Sequence, residues 1–418
     1  MLNKIKPYFK DVSQMIAKSY KNHNLLYDGF GILTDGKVVY NEYNGYIDCH
    51  RNIPFSIDTV FNCGSLTKHI IAISILQLRD KQLLHLDDSI FKFIPNLKIE
   101  SYTKDSADIT ISHLLQMFAG IEDNLKFTDY KIITDDTILT RKIYKIYESG
   151  THYLYSGIQY DLLGIVITKV SEINYQKYIT LNILIPLQMN NTTFDLNIIN
   201  KNLLNQQYIL DSNNNITKLN YYETRKNNEG ASIGLYTSMR DWFKIVLFNQ
   251  SAYTTNNLYS NILTKSSIRE IHNPFNFASI YFSNKKIKSV FDKNKLNILF
   301  RLYSYGVISE YDENNINYIG HNGLGLGSSN IVWGICPKYN LGIVMTTSGQ
   351  NLDDLFLNKL NVINADVLRF LIYKSQTLTK QPLNFHINKK LIIICSITIL
   401  LIIIWNGEWG VRPIREIR

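Results

Sequence analysis

The sequence predicts an α+β fold in which an antiparallel sheet, built from both ends of the chain and flanked by helices, carries a helical insertion. Three observations predict it. Strand-like runs begin at Gly29, helical patterns dominate the chain up to about Phe248, and strand-like runs return after Tyr303. Because the two ends share the strand pattern and the middle does not, we expect the ends to pair in one sheet, with the helical region packed beside it.

The first strand signal is a hairpin. Two β-rich runs between Gly29 and Tyr46 flank Asp35-Gly36, a dipeptide that favours the two-residue turn of a β-hairpin. A short strand-like run from Thr59 to Gly64 then leads into a long apolar helix that begins at Ser65. We assign residues 1–28, which precede the hairpin, to a helical lead-in.

The middle of the chain predicts a helical insertion over about residues 85–245. One of its helices, Tyr175 to Leu184, ends just before a proline, which restricts the residue ahead of it. The asparagine-rich stretch from Lys201 to Asn228 predicts a long surface loop. With the strands that follow, residues 29–375 are expected to form one mixed domain.

The C-terminal end carries an uncharged run of fifteen residues, Leu391 to Trp405, between Lys389-Lys390 and a basic tail at 406–418. At a rise of ~1.5 Å per residue it covers ~22 Å of a hydrocarbon core that is ~30 Å thick, and flanking lysines and tryptophans can supply the remainder. The alternative is a helix or strand of the core. Since residues 352–373 already predict an amphipathic closing helix, we predict a transmembrane helix at 391–405, joined by a linker at 376–390.

This segment determines the predicted location. We expect a membrane protein with a single C-terminal pass, and the membrane as a partner. The first twenty residues hold no apolar run of signal-peptide length, so a cleaved export signal is not supported. Basic residues on both sides of the apolar run leave its orientation open. A soluble cytoplasmic protein whose tail packs on the fold is the alternative.

Composition excludes several classes of protein. A chain that is 45% hydrophobic and 19% charged is not disordered. The net charge of +9 comes from scattered basic residues rather than from arms or blocks, so no nucleic-acid partner is expected. The cysteines lie far apart and form no C-x-x-C pair, so the spacing predicts neither a metal site nor a disulfide framework; they are Cys49, Cys63, Cys336 and Cys395.

The strongest chemical signal is Ser65-Leu66-Thr67-Lys68, which places a hydroxyl and an amine one turn apart on one helix face. A serine hydroxyl needs a nearby base to act as a nucleophile, and an amine within hydrogen-bond reach can be that base. The helix start adds main-chain N–H groups suited to an anionic intermediate. The same S-x-x-K spacing occurs at Ser89, Ser101 and Ser283, but only Ser65 follows a strand-like run and a glycine and precedes a long apolar helix.

In this context the chain resembles the serine β-lactamase and penicillin-binding-protein superfamily, in particular its class C-like branch. The resemblance runs from about Gly29 to Gly349 and rests on several landmarks in the family's order. They are DTVFNCGSLTKHIIAISILQLRDKQL, ITISHLLQMFAGI, GTHYLYSGIQYDLLGIVITKV with ILIPLQMNNTTF, GASIGLYTSMRDW and GHNGLGLGSSNIVW. It implies a β-lactamase/transpeptidase-like fold.

The resemblance implies catalytic roles for three residues. Ser65 matches the acylated nucleophile, Lys68 the adjacent base, and Tyr155 the tyrosine that transfers protons between nucleophile, lysine and leaving group. Two further Tyr residues lie close to Tyr155, but the flanking GT and LLG sequences set the register on Tyr155.

It also implies a substrate-binding strand and an oxyanion hole. His321-Asn322-Gly323 matches the K-T-G or H-x-G strand that lies along the bound substrate, where Gly323 allows a close backbone approach. The implied oxyanion hole consists of the main-chain N–H groups of Ser65 and Leu324.

The sequence departs from the family pattern at three positions. Gly157 stands where the second motif has an asparagine, whose amide helps hold the substrate amide and Lys68. Met117 and Ala119 replace a histidine and a serine of the HLL segment. None of these changes touches the nucleophile, the base or the oxyanion donors, so we expect altered substrate handling, away from good β-lactam turnover.

The implied function is that of a serine hydrolase or acyltransferase acting on amide or ester bonds through an acyl-Ser65 intermediate. The expected substrates are D-amino-acid peptides, cell-wall-type stem peptides, β-lactam-like compounds or small esters, with no metal or organic cofactor. The alternative is a degenerate penicillin-binding-like protein that binds a ligand or partner without turnover, and Gly157 is its best support. The oligomeric state is left open.

Overall fold

The computed structural model describes residues 1–377 with gaps. The gaps are at 21–24, 49, 51, 104–107, 124–141, 207, 211–215, 219–229, 256–257, 274–279, 282–285, 289–294, 313–315, 326–328 and 349–353, and residues 378–418 also lie outside the described residues. Only the backbone is described for residues 209–210, 216–217, 280–281, 286–288, 295–301, 354–362 and 377. The described residues belong to one compact unit, Met1–Leu378.

The described residues contain sixteen strands, numbered along the chain. They are β1 (Tyr27–Thr34), β2 (Lys37–Asp48), β3 (Ile53–Pro54), β4 (Val60–Asn62), β5 (Ile99–Ser101), β6 (Ile143–Lys145), β7 (Tyr208–Leu210), β8 (Ile216–Lys218), β9 (Tyr236–Ser238), β10 (Ile280–Tyr281), β11 (Lys286–Lys288), β12 (Lys295–Tyr303), β13 (Ile308–Asp312), β14 (Asn317–Gly325), β15 (Ser329–Cys336) and β16 (Leu341–Ser348).

Nine α-helices are numbered in the same way over the described residues. They are α1 (Leu2–Ile5), α2 (Phe9–Tyr20), α3 (Thr67–Asp80), α4 (Ile111–Leu115), α5 (Gly157–Ser171), α6 (Tyr175–Ile179), α7 (Met239–Ser251), α8 (Lys265–His272) and α9 (Asp354–Thr377). A π-helical turn, Thr180–Leu184, continues α6, so the helix predicted over Tyr175 to Leu184 is confirmed.

The main sheet joins the two ends of the chain. Its order is β10-β12-β13-β14-β15-β16-β1-β2-β3, with β11 paired to β12. Strands β1 and β16 pair antiparallel from Asp28↔Thr347 to Thr34↔Leu341. The predicted hairpin joins β1 to β2, and both residues of its turn, Asp35 and Gly36, have positive φ, as its tight two-residue turn requires. The predicted antiparallel sheet built from both chain ends is therefore confirmed.

Helices cover both faces of this sheet. On one face α1, α2 and α9 form a hydrophobic cluster with the strands, through residues such as Ile5, Val12, Val367 and Leu371. On the other face lies the larger core, which contains α3 and α7; Ile70 to Ile73 of α3 are completely buried. Helix α3 is buried along almost its whole length, so packing on all sides positions the residues at its first turn.

The middle region is less purely helical than the sequence pattern predicts. Among its described residues, strands of three two-stranded sheets interrupt the helices: β4 with β9, β5 with β6, and β7 with β8. The last pair lies inside the stretch from Lys201 to Asn228, which was predicted as a loop. Short strands of three residues carry too little alternation to be recognised in a sequence, and their pairing depends on partners that are distant in the chain.

The predicted membrane anchor needs correction. No helix in the described part of the chain combines the length and the apolar character that crossing a bilayer demands. The run at 391–405, with its linker and basic tail, lies outside the described residues. The prediction took an uncharged run shorter than the bilayer core as a spanning helix and relied on its flanks for the rest. The transmembrane helix, the membrane as a partner and the membrane location are therefore wrong as predicted.

Candidate active site

Ser65 lies on a short 3-10 turn, Gly64–Leu66, that leads from β4 into α3. Strand β14 runs directly against this turn. Gly64 has a φ of +52°, and a Cβ placed there would lie 2.1 Å from the carbonyl oxygen of Leu324. A Cβ at Gly323 would lie 2.0 Å from the carbonyl oxygen of Cys63. The two glycines therefore allow the main chain of β14 to contact the main chain beside the nucleophile.

Lys68 follows Ser65 by one helical turn and is 1% exposed. Its Nζ donates hydrogen bonds to Ser65 Oγ at 3.1 Å and to the main-chain oxygen of Ser232 at 3.1 Å. A buried ammonium group is costly unless polar partners surround it. These two acceptors hold the lysine tip beside the serine hydroxyl.

Tyr155 contacts Ser65 as well. Its hydroxyl donates to Ser65 Oγ at 2.8 Å, and its ring centroid lies 5.0 Å from Lys68 Nζ. The side chain is 40% exposed, so it faces the cleft rather than the core. The structure thus brings together the three polar atoms that sequence motifs separated by up to 90 positions predict.

The predicted binding strand is placed along the same cleft, but its side chains alternate. His321 is buried, with its ring 6.3 Å from the ring of Tyr155 and 5.8 Å from that of Tyr303. Successive side chains of a strand point to opposite faces, and burial alternates along β14 accordingly. Asn322 therefore presents its side chain to the face opposite His321, and only its main chain follows the cleft.

The main chain of Leu324, the second predicted oxyanion donor, lies against Gly64, the residue that precedes Ser65. Strand β13 pairs with β14 only as far as Gly320, so residues 321–325 pair with β15 alone among the described strands. The other edge of this segment faces the nucleophile turn. Main-chain N–H groups at such an edge are suited to a negative charge that develops on a substrate oxygen.

Gly157, the main departure from the family pattern, lies at the first turn of α5. Its N–H donates to Asp123 Oδ2 at 2.8 Å. A Cβ at this position would lie 3.2 Å from Ser232 Oγ and 3.3 Å from Asp123 Oδ2, which is tighter than ordinary van der Waals contact. The space that an asparagine side chain needs is therefore partly filled by Asp123, a residue that sequence reasoning missed although it follows the HLLQMFAGI landmark by two positions.

The departures at 117 and 119 support the loop that carries Tyr155. Met117 Sδ accepts from the N–H of Ser156 at 3.4 Å, and its main-chain oxygen accepts from Leu154 at 2.9 Å. The N–H of Ala119 donates to Gln159 Oε1 at 3.2 Å. These contacts are structural and do not reach Ser65 Oγ.

Sequence reasoning also missed two buried residues behind Lys68. Asp161 on α5 is 3% exposed, and its Oδ1 accepts from the N–H of Ser232 at 2.7 Å. Burial raises the pKa of Asp161 to about 6, although the Ser232 hydrogen bonds and the charge of Lys68 act in the opposite direction. No sequence motif points to this pair, because their relation exists only in the folded chain.

A buried hydrogen-bonded chain begins next to Lys68. His69 Nε2 lies 2.9 Å from Asn249 Nδ2, Asn249 Oδ1 lies 2.7 Å from His272 Nε2, and His272 Nδ1 lies 2.8 Å from the hydroxyl of Tyr253. Burial lowers the pKa of His69 and of His272 to about 3, so both imidazoles are neutral at neutral pH. Over the described residues, no group of three or more His, Cys, Asp or Glu side chains is arranged to hold a metal ion.

Comparison with known proteins gives a family and a fold. The family model described as Beta-lactamase matches residues 12–365. "Protein flp" of Staphylococcus aureus (strain MW2) is 33% identical over 168 residues, which cover 39% of this chain and 34% of that protein. The chain thus matches about a third of the length of this curated relative.

Two solved structures are similar over most of the chain. The octameric penicillin-binding protein homologue from Pyrococcus abyssi has a TM-score of 0.69 at 21% identity, over 88% of this chain and 78% of that one. A class C β-lactamase mutant has a TM-score of 0.65 at 15% identity, over 88% of this chain and 98% of that one. At these identities the likeness concerns the fold, and it confirms the predicted β-lactamase/transpeptidase-like architecture.

Proposed function

This chain belongs to the Beta-lactamase family, and we propose from that premise that it is a serine hydrolase or acyltransferase that cleaves amide or ester bonds through an acyl-Ser65 intermediate. Residues 29–375 are its catalytic domain. The observation that carries the proposal is the convergence on Ser65 Oγ of Lys68 Nζ at 3.1 Å and of the Tyr155 hydroxyl at 2.8 Å. A serine with two proton-transferring groups in contact is the arrangement that nucleophilic catalysis needs.

In the proposed reaction Ser65 Oγ attacks the carbonyl carbon of the substrate, and its proton passes to Lys68 in its neutral amine form, directly or through the Tyr155 hydroxyl, which gives its own proton to Lys68 as it receives the one from Ser65. The carbonyl oxygen becomes an oxyanion, which the N–H groups of Ser65 and Leu324 stabilise. The C–N or C–O bond then breaks, and the leaving amine or alcohol takes up the proton. Water or an acceptor amine attacks the acyl-serine by the reverse sequence, releases the product and returns the proton to Ser65.

We propose D-amino-acid peptides, cell-wall-type stem peptides or small esters as substrates, with β-lactam-like compounds handled less well. Two features support this choice. The edge of β14 beyond Gly320 offers an extended main chain to a peptide. At position 157 the main-chain N–H is already bonded to Asp123, and no side-chain amide is present to hold the amide of a β-lactam.

The test is labelling of the protein with a fluorescent penicillin and with a fluorogenic ester, using Ser65→Ala as the control. We expect labelling of the wild-type chain by at least one reagent, and none of the Ser65→Ala variant. Hydrolysis of D-Ala-D-Ala peptides and of p-nitrophenyl esters then separates the peptidase types from the esterase type.

A second candidate function, binding of a ligand without turnover, is favoured by Gly157 alone. It predicts saturable binding of a penicillin or stem peptide to both the wild type and Ser65→Ala, without covalent label or product. Equilibrium binding measured beside the labelling experiment distinguishes the two functions.

A further inference from the structure

Ser232 connects the catalytic lysine to a buried carboxylate. Its main-chain oxygen accepts the Lys68 ammonium at 3.1 Å, and its own N–H donates to Asp161 Oδ1 at 2.7 Å. Lys68 and Asp161 are both almost fully buried, on α3 and α5 respectively. One residue of a loop thus lies between a buried cation and a buried anion and is hydrogen-bonded to each.

The loop that carries Ser232 is shaped around this carboxylate. A Cβ at Gly230 would lie 2.4 Å from Asp161 Oδ1, so the main chain approaches Asp161 more closely than a side chain at 230 would allow. A charged group is buried in a protein only where hydrogen bonds and opposite charges compensate for its desolvation. The Ser232 N–H and the Lys68 ammonium supply that compensation here.

We propose that Asp161 is a positioning residue of the active site. It fixes Ser232 so that the Ser232 carbonyl holds the Lys68 side chain against Ser65, and its negative charge stabilises the ammonium that Lys68 becomes when it accepts the Ser65 proton. The inference rests on the proposed function of Ser65 and Lys68. It adds a residue that touches neither substrate nor nucleophile and acts through Lys68.

The ionisation of Asp161 makes this arrangement sensitive to pH. The charged groups that face Asp161 are Lys68 from α3 and Asp123 from the segment that follows α4. Because burial raises the pKa of Asp161 to about 6, its carboxylate gains a proton as the pH falls through that value. The charge opposite Lys68 is then lost, and acylation of Ser65 is expected to decline on the acid side.

The first test does not require turnover. In a chain labelled with ¹³C at lysine Cε, with Lys68→Arg used for assignment, the Lys68 resonance is expected to shift in one step near pH 6, as the neighbouring Asp161 carboxylate gains its proton. The step is expected to disappear in Asp161→Asn. If Lys68 shows no such step, or if the step persists in Asp161→Asn, the inference is wrong.

The second test measures the pH profile of Ser65 acylation by an activated ester. Asp161→Asn is expected to lower the acylation rate by about tenfold or more, the effect of a misplaced catalytic group, and to remove the inflection near pH 6. Gly230→Ala crowds the same carboxylate from the other side and is expected to lower the rate in the same direction.

The matched control is Asp241→Asn. Asp241 is a second helical aspartate that is 1% exposed, and it accepts from the N–H of Asn191 at 2.7 Å, outside the candidate site. Its substitution is expected to leave the inflection in place. Equal effects of both substitutions on the profile contradict a specific role for Asp161. Failure of the wild-type chain to acylate contradicts the proposed function instead, and the resonance of Lys68 still tests Asp161.

Discussion

Replacing Tyr155 by phenylalanine removes one hydroxyl group and leaves the ring. That hydroxyl is the hydrogen-bond donor 2.8 Å from Ser65 Oγ. The ring contacts with Lys68, at 5.0 Å, and with Tyr303, at 5.7 Å between centroids, remain possible in the variant. The Tyr155→Phe substitution therefore affects only proton transfer to and from Ser65 Oγ and the orientation of the Ser65 hydroxyl.

The magnitude follows from what such a group contributes. A positioned general acid or base is worth ~10²–10⁴ in rate, which corresponds to ~3–5 kcal/mol of activation free energy at ~1.36 kcal/mol for each factor of ten. The side chain is 40% exposed, and a surface change of this kind alters the free energy of unfolding by only about 0.5 kcal/mol or less. We expect Tyr155→Phe to lose at least a hundredfold in acylation rate with its stability nearly unchanged.

The assay is the second-order rate of Ser65 acylation by a p-nitrophenyl ester, followed by release of p-nitrophenol, with urea unfolding of the same preparation. Tyr147→Phe is the matched control, because Tyr147 is 38% exposed and stacks on His152 instead of contacting Ser65. A Tyr155→Phe rate within threefold of the Tyr147→Phe rate would refute a proton-transfer role for Tyr155.

Three further predictions concern stability. His272 has a pKa of about 3 in the folded chain and about 6.5 when unfolded, so only the unfolded state takes up its proton as the pH falls from 6 to 4. Over that range the wild type is expected to lose ~1.4 kcal/mol more of its unfolding free energy per pH unit than His272→Gln. Equal pH slopes of the two chains in urea titrations contradict this. Gly64→Ala places a Cβ 2.1 Å from Leu324 O, whereas a Cβ at Gly36, which also has a positive φ, has no atom within 4 Å. Gly36→Ala is expected to lower the free energy of unfolding by ~1–2 kcal/mol, and Gly64→Ala by clearly more. Similar losses for the two variants in thermal unfolding speak against the close contact with β14. Gly157→Asn is expected to lower the free energy of unfolding by ~1–3 kcal/mol through overpacking. Adding Asp123→Ala to this variant is expected to recover most of the loss. A Gly157→Asn chain as stable as the wild type contradicts the crowding at position 157.

The parts of the fold that local patterns determine could be predicted. Alternating apolar residues around Asp35-Gly36 specify a hairpin, and the apolar run after Ser65 specifies a buried helix, because side-chain periodicity alone decides which face is apolar. The i, i+3 spacing placed Lys68 beside Ser65, since residues three apart share a helix face.

The remaining parts depend on contacts between distant segments. The link from Lys68 through Ser232 to Asp161 joins α3, a loop and α5, and its importance comes from burial, which a single sequence does not reveal. Asp123 likewise gains its meaning only from its hydrogen bond to Gly157. The opposite orientations of His321 and Asn322 follow from the pleat of a strand, but the motif resemblance treated the two residues alike.

The membrane prediction was wrong for a related reason. It rested on composition at 391–405, a run too short to span a bilayer without help from its flanks. Apolar composition indicates that a segment avoids water and does not by itself indicate what covers it. No spanning helix is found in the part of the chain that the structure describes.

The central claim is that Ser65 becomes covalently acylated, and trapping the adduct tests it most directly. The chain is incubated with an activated ester or a penicillin, quenched in acid, and measured by intact mass and by peptide mapping. We predict a mass increase equal to the acyl group, located on Ser65 and absent from Ser65→Ala. An unmodified wild-type chain, or an adduct that persists in Ser65→Ala, would contradict the claim.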